Sequence, residues 1–144
     1  MIRKLENRDI EVIMDIWRES TIKAHDFIEK SYWINNYSVV KDVYIPMSEV
    51  FVYEEDNNIY GFIGIIESEF IGALFVDVNK QGLGIGSKLI EFALDKYRQL
   101  DLTVYKDNKA SVEFYKKKGF KIISQQENED SNFMEYTMRI KNNY

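Results

Sequence analysis

The sequence predicts an α/β chain built on one mixed sheet with helices on its faces, and three observations carry that prediction. An apolar run, Ala73-Leu74-Phe75-Val76-Asp77-Val78, reaches a polar turn at Asn79-Lys80-Gln81. Three alternating glycines come next at Gly82, Gly84 and Gly86, and a helical pattern opens from them at once. Strand, crossover helix and strand in that order imply a parallel pair. Upstream, residues 49–78 carry strand signals broken by Asp56-Asn57-Asn58 and Glu67-Ser68-Glu69, the turn chemistry of antiparallel hairpins. Two further strand-like runs close the chain after a short helix. The predicted order is β-α-α-β-β-β-α-β-α-β-β.

Taken in order, Ile2 to Leu5 alternate weakly and predict a short strand, and Asn7 or Asp9 can cap the helix after it. That helix shows Ile10, Ile13, Met14, Trp17, Thr21 and Ala24 at three- and four-residue spacing, one apolar stripe. A second, aromatic-rich helical pattern runs from Phe27 to Val43 and is expected to end before Pro46. Glu49–Tyr53, Ile59–Ile66 and Phe70–Val78 predict three strands. Leu89, Ala93 and Tyr97 line one face of the helix after the glycines, with Ile85, Ile90 and Leu94 beside them. Leu102–Tyr105 predicts a strand, Asn108 a cap, and Ala110–Lys118 a helix stopped by Gly119. Phe120–Ser124 and Phe133–Ile140 predict the closing strands, joined by an acidic loop at Gln126–Ser131. With no repeat, low-complexity tract or linker, residues 1–144 are expected to form a single domain.

Composition narrows the function. The 144 residues carry a net charge of −5, against the basic stripe of a nucleic-acid binder. There is no cysteine, so disulfides, thiolate metal sites and a cysteine nucleophile are excluded. The single histidine, His25, excludes a multi-histidine metal site, and no metal is expected. No apolar run approaches the roughly 20 residues of a membrane span, and the N-terminus lacks a signal peptide's apolar centre. A cytoplasmic protein without membrane partners is the expectation.

Glycines at a strand-to-helix junction leave bare N–H groups at a helix N-terminus, a site suited to phosphate. A P-loop reading fails, because Gly86 is followed by Ser87-Lys88 in the wrong order. A dinucleotide fingerprint would place Ser87 at its third glycine and use Asp101 or Asp107 as its acid, but too little chain remains for a doubly wound sheet. A ligand-free tight connection is the plain alternative; three glycines there would each cost roughly 0.5–1 kcal/mol relative to alanine.

The remaining pattern, Gln81-x-x-Gly84-x-Gly86, resembles the Arg/Gln-x-x-Gly-x-Gly/Ala signature of the GNAT superfamily of N-acetyltransferases. Asn108, Phe114-Tyr115 and Gly119-Phe120 resemble the family's downstream block at the expected distance, and the element order matches end to end. Ala24-His25-Asp26-Phe27 and the stretch from Gly72 to Asp77 look most like small stand-alone bacterial members. The resemblance implies an enzyme that transfers the acetyl group of acetyl-CoA directly to a primary amine of a small molecule or protein. The alternative is a non-catalytic acyl-CoA sensor on the same fold.

It also implies roles. The backbone of Leu74, Phe75 and Val76 would pair with the pantetheine arm. The amides of Gly82, Leu83, Gly84, Ile85, Gly86 and Ser87 would take the pyrophosphate, with Gln81 at its edge. Asn108 would cap its helix and touch the arm. The backbone N–H of Val76 would face the developing oxyanion. Tyr115 would touch the cofactor and act as general acid toward the departing thiolate. A base for the amine is less well marked. Some relatives carry Glu or His where this chain has Phe70, alternation turns Glu69 to the other face, and His25 is the candidate for base or acceptor-site residue. Trp17, Phe27, Tyr32, Trp33 and Tyr37 suggest an aromatic-lined acceptor pocket, with one or two of them lining it and the others in the core. Family members occur as monomers and as homodimers.

Overall fold

Alternation of side chains along the central strands sorts the core into two layers. Val50, Phe51, Val52 and Tyr53 are all buried, yet they belong to different clusters. Phe51 and Tyr53 pack with Leu89, Ile90 and Ala93, whereas Val50 and Val52 pack with Ile13, Met14 and Trp17. A strand buried on both faces needs helices on both sides. The sheet between those layers is seven-stranded, in the computed structural model that describes residues 1–141. The last three residues of the expected 1–144 domain lie outside the described residues.

The chain runs through β1 (Ile2–Lys4), a 3₁₀ turn (Asn7–Asp9), α1 (Ile10–Ala24) and α2 (Lys30–Val39) on one face. It continues through β2 (Glu49–Glu55), β3 (Asn58–Ile66) and β4 (Phe70–Val76), then α3 (Ile85–Lys96), β5 (Gln99–Tyr105) and α4 (Lys109–Lys117). It closes with β6 (Lys121–Glu127) and β7 (Met134–Lys141). The spatial order is β1-β2-β3-β4-β5-β7-β6. Every neighbouring pair is antiparallel except β4–β5, which is parallel. The predicted mixed sheet and element order are observed.

Three local expectations change. The helix predicted over Phe27–Val43 starts at Lys30, widens into a π turn at Val40–Tyr44 and continues through a last turn, Ile45–Met47, that contains Pro46. Proline at the start of a helical segment loses no bond the helix needs, and the widened turn gives Pro46 that position. Asp9 does not cap α1. Its carboxylate accepts the Glu6 N–H at 2.8 Å and the Arg3 guanidinium at 2.8 and 3.1 Å. The Arg3 hydrogen bonds hold that carboxyl below its ordinary value. Finally, β4 stops at Val76, short of Val78, and β5 begins at Gln99, before Leu102.

Candidate active site

The two parallel strands meet at one rung and then part. Phe70 pairs with Asp101, and the Asp101 N–H donates to the Glu69 carbonyl at 2.8 Å. Beyond that rung no register pair joins β4 to β5 among the described residues. A cavity of about 1180 Å³ opens there, walled by α1, α2, the glycine turn and the start of α4. On the other side of β4 the pairing with β3 contains a bulge that leaves Gly72 as an extra residue. Bulges of this kind bend a strand and re-aim the residues beyond them.

Backbone direction along β4 is fixed by two contacts. The Asp77 N–H donates to the Tyr60 carbonyl at 2.8 Å, so residue 77 faces β3. The Val76 carbonyl instead accepts from Ser20 Oγ at 2.8 Å and Gln81 Nε2 at 3.2 Å. N–H and C=O of one extended residue point the same way and alternate with the next. Val76 and Leu74 therefore turn their polar groups away from β3, toward the gap, and Phe75 turns its own toward Phe62 of β3.

The turn after β4 is shaped by two left-handed residues. Gly82 and Gly84 have φ of +82° and +83°, and nothing lies within 4 Å of where a Cβ would sit on either. These glycines answer to backbone conformation, not to crowding. Gly84 is the N-cap of α3. The first intrahelical bond runs from the Lys88 N–H to the Gly84 carbonyl at 3.1 Å. That leaves the amides of Ile85, Gly86 and Ser87 without helical acceptors at the positive end of the helix. Gly86 lies under Phe114, whose Cζ would be 3.4 Å from an added Cβ. The turn is thus seated against α4.

At the other end of the cavity α1 and α4 touch through side chains. His25 and Asn108 are 9% and 8% exposed. His25 Nδ1 lies 2.8 Å from the Thr21 carbonyl, and Nε2 lies 3.3 Å from Asn108 Nδ2. Asn108 Oδ1 accepts the Ser111 N–H at 3.3 Å, so it does cap α4. The imidazole is packed against Trp33 at 5.0 Å, Tyr105 at 5.2 Å and Phe27 at 5.8 Å between ring centroids. Burial pushes its pKa below the ordinary histidine value, with the Thr21 bond opposing. Tyr115 packs edge-on to Phe114 and Phe120, at 5.3 and 5.5 Å, and burial raises its phenol well above the ordinary tyrosine range. A second contact joins two residues of the cavity lining, where Tyr32 Oη of α2 donates to Asp130 Oδ2 at 2.6 Å.

Comparison with known proteins gives these features a family. Residues 23–142 match the model of the acetyltransferase (GNAT) domain. The chain belongs to the GNAT acetyltransferase family. It is 34% identical over 123 residues to the peptidyl-lysine N-acetyltransferase YiaC of Escherichia coli strain K12, covering 85% of this chain and 84% of that one. The apo-form solution structure of YjaB from Escherichia coli superposes with a TM-score of 0.85 at 28% identity, covering 96% and 95% of the two chains. PaiA N-acetyltransferase from Thermoplasma acidophilum, solved in complex with coenzyme A, has the same fold: TM-score 0.80, 21% identity, coverage of 99% and 98%. The chain is an N-acetyltransferase of the GNAT kind.

Within this GNAT fold, Leu74, Phe75, Val76, Gln81, Gly82, Gly84, Ile85, Gly86, Ser87, Asn108, Tyr115 and His25 all line the one cavity. Leu83 does not, and its side chain is 64% exposed. Phe70 also lies outside the lining, at the rung where the strands still pair. Of the aromatic residues expected on the acceptor side, Trp17, Tyr32 and Trp33 line the cavity, while Phe27 and Tyr37 pack behind it. Sequence reasoning missed Ser20, which reads as an ordinary helix residue but donates to the strand, and Asp130, which reads as part of a solvated loop. It also missed that His25 reaches Asn108. No group of three or more His, Asp or Glu among the described residues could hold a metal ion, and among them no helix is long and apolar enough to cross a membrane.

Proposed function

We propose that this chain transfers the acetyl group of acetyl-CoA to a primary amine, with a lysine side chain in a protein as the favoured acceptor and small-molecule amines as the other class. The observation that carries the reading is the open lane beside β4, where the polar groups of Leu74 and Val76 face a gap that no strand fills among the described residues. An amide-bearing arm such as pantetheine fits such an edge as an added strand does. The amides of Gly82 to Ser87 at the head of α3 suit the pyrophosphate. Gln81 commits a side-chain N–H to the Val76 carbonyl, which keeps it at the edge of that turn.

The thioester supplies an activated acyl carbon. Around it the Val76 N–H would face the carbonyl oxygen as negative charge gathers there. Tyr115 Oη would give its proton to the sulfur as the C–S bond breaks and the N–C bond forms, and the proton that the nitrogen loses on becoming an amide would restore the phenol by way of solvent. Burial raises the phenol pKa, so Tyr115 is protonated at neutral pH but is a weaker acid than an exposed tyrosine. A lysine amine titrates near roughly 10.4, so it must shed a proton before attack. The cavity wall carries Asp26, Asp107, Asp130 and Glu135 together with Lys23, Lys80 and Lys109, so carboxylates that can meet a cationic amine are present but nearly balanced by lysines. The naming of YiaC as a peptidyl-lysine N-acetyltransferase favours lysine among cationic amines.

Thermal unfolding with CoA, acetyl-CoA, NAD and ATP tests the first half. A ligand at 100 times its dissociation constant adds about 2.7 kcal/mol of stability, and only the CoA compounds are expected to do so. Thiol release is then followed on lysine peptides, polyamines and free amino acids, with lysine peptides expected to be the best substrates. Stabilisation by NAD and not by CoA would refute the reading.

A further inference from the structure

The contact between His25 and Asn108 is satisfied best by one arrangement of protons. Asn108 Oδ1 is committed to the Ser111 N–H, so the group it turns toward His25 is its NH₂. This assigns His25 Nε2 as the acceptor and places the ring proton on Nδ1, which lies 2.8 Å from the Thr21 carbonyl and 3.2 Å from the Thr21 hydroxyl oxygen. A doubly protonated ring would turn an N–H against the Asn108 NH₂. The aromatic packing by Trp33, Phe27 and Tyr105 holds the plane of the ring. One N–H of Asn108 is used by His25, and the other has no hydrogen-bond partner among the described residues.

We propose that His25 is a positioning residue for the cofactor end of the cavity: its neutral imidazole holds the Asn108 side chain so that one amide N–H stays directed to the acetyl-CoA arm. This rests on the acetyl-CoA reading above. It gives the single histidine a different duty from that of base, because the nitrogen a base would use is already bonded to Asn108. It also explains why a residue at the end of α1, on the acceptor side, is tied to the cap of a helix 83 residues away.

The test is titration of CoA into the purified protein without any amine present, paired with steady-state thiol release. His25→Phe keeps the aromatic packing and removes the acceptor. It is expected to weaken CoA binding about 5- to 10-fold, the worth of one hydrogen bond, with kcat at saturation held within about twofold. His25→Gln, whose side-chain carbonyl can accept from Asn108, is expected to restore affinity. Asn108→Ser keeps a capping oxygen, and adding His25→Phe to it is expected to cost nothing further. Wild-type CoA affinity in His25→Phe would overturn the inference. So would a kcat about 100-fold lower in His25→Gln with CoA binding intact, the mark of a lost base. A chain that binds no CoA in unsubstituted form would overturn the acetyl-CoA reading first. Long-range proton–nitrogen NMR of the unsubstituted protein reads the tautomer without any variant. A proton on Nδ1 is expected, and one on Nε2 would overturn the inference.

Discussion

Ser20 Oγ donates to the Val76 carbonyl at 2.8 Å, tying the middle of the acceptor-side wall to the last residue of β4. Ser20 is buried, and the bond is partly buried because Val76 lines the cavity. Gln81 also reaches that carbonyl, at the longer distance of 3.2 Å. The end of β4 is thereby held by two donors on one carbonyl, at the residue whose N–H is proposed to face the reacting carbonyl.

Ser20→Ala should lower stability by about 1 kcal/mol, the net worth of one hydrogen bond. Urea unfolding would show it as a lower midpoint with unchanged slope. An unchanged midpoint would mean that Gln81 alone holds the strand end.

Tyr115→Phe separates packing from chemistry. The ring contacts with Phe114 and Phe120 survive the change, so the melting temperature should hold. Loss of a general acid should lower kcat by about 100-fold or more. Because burial holds the phenol protonated above the ordinary tyrosine value, the unsubstituted enzyme should show no loss of rate from its ionisation below about pH 9. Unchanged thiol release by the variant would remove Tyr115 from the mechanism.

Gly84→Ala meets no atom within 4 Å, so its cost is conformational alone. A left-handed alanine costs about 1–2 kcal/mol, and the turn that presents the α3 amides should deform with it. A lower melting temperature together with weaker CoA binding is expected. Weaker binding with unchanged stability would place the defect in ligand contact instead.

His25 makes stability depend on pH in one direction. Its folded pKa is depressed by burial below the ordinary value of about 6.5. The unfolded chain therefore binds the extra proton first as pH falls, and the stability that neutral His25 carries is present above about pH 6.5 and lost below it. The ionisable ring packed on it, Tyr105, is itself pushed up by burial and stays neutral throughout. Melting curves from pH 8 to about pH 5 should show the unsubstituted protein losing ground to His25→Phe. Parallel curves would show that the imidazole titrates as it does in the unfolded chain.

Much of the fold was legible because its signals are local. Apolar spacing marked α1 and α3, turn residues marked the hairpins of β2, β3 and β4, and Asn108 marked the start of α4. The glycine turn was legible for the same reason: positive φ at Gly82 and Gly84 is a property of single residues. Where local rules gave the wrong boundary, a neighbour intervened. Pro46 was read as a stop, and the π turn before it carries the helix through. Asn7 and Asp9 are both candidate caps of α1 by local rules, and Arg3 claims the Asp9 carboxylate.

The sequence by itself determined the elements, their order, the mixed sheet and the family. The tertiary structure decided where β4 and β5 part, that β7 lies between β5 and β6, and which distant side chains share the cavity. Ser20 with Val76, His25 with Asn108, and Tyr32 with Asp130 are separated by 56, 83 and 98 residues. The cost of closing such loops grows only slowly with their length, so separation along the chain says almost nothing about which ends will meet. What brings them together is the packing of helices on both faces of one twisted sheet, and that is settled only when the whole core forms.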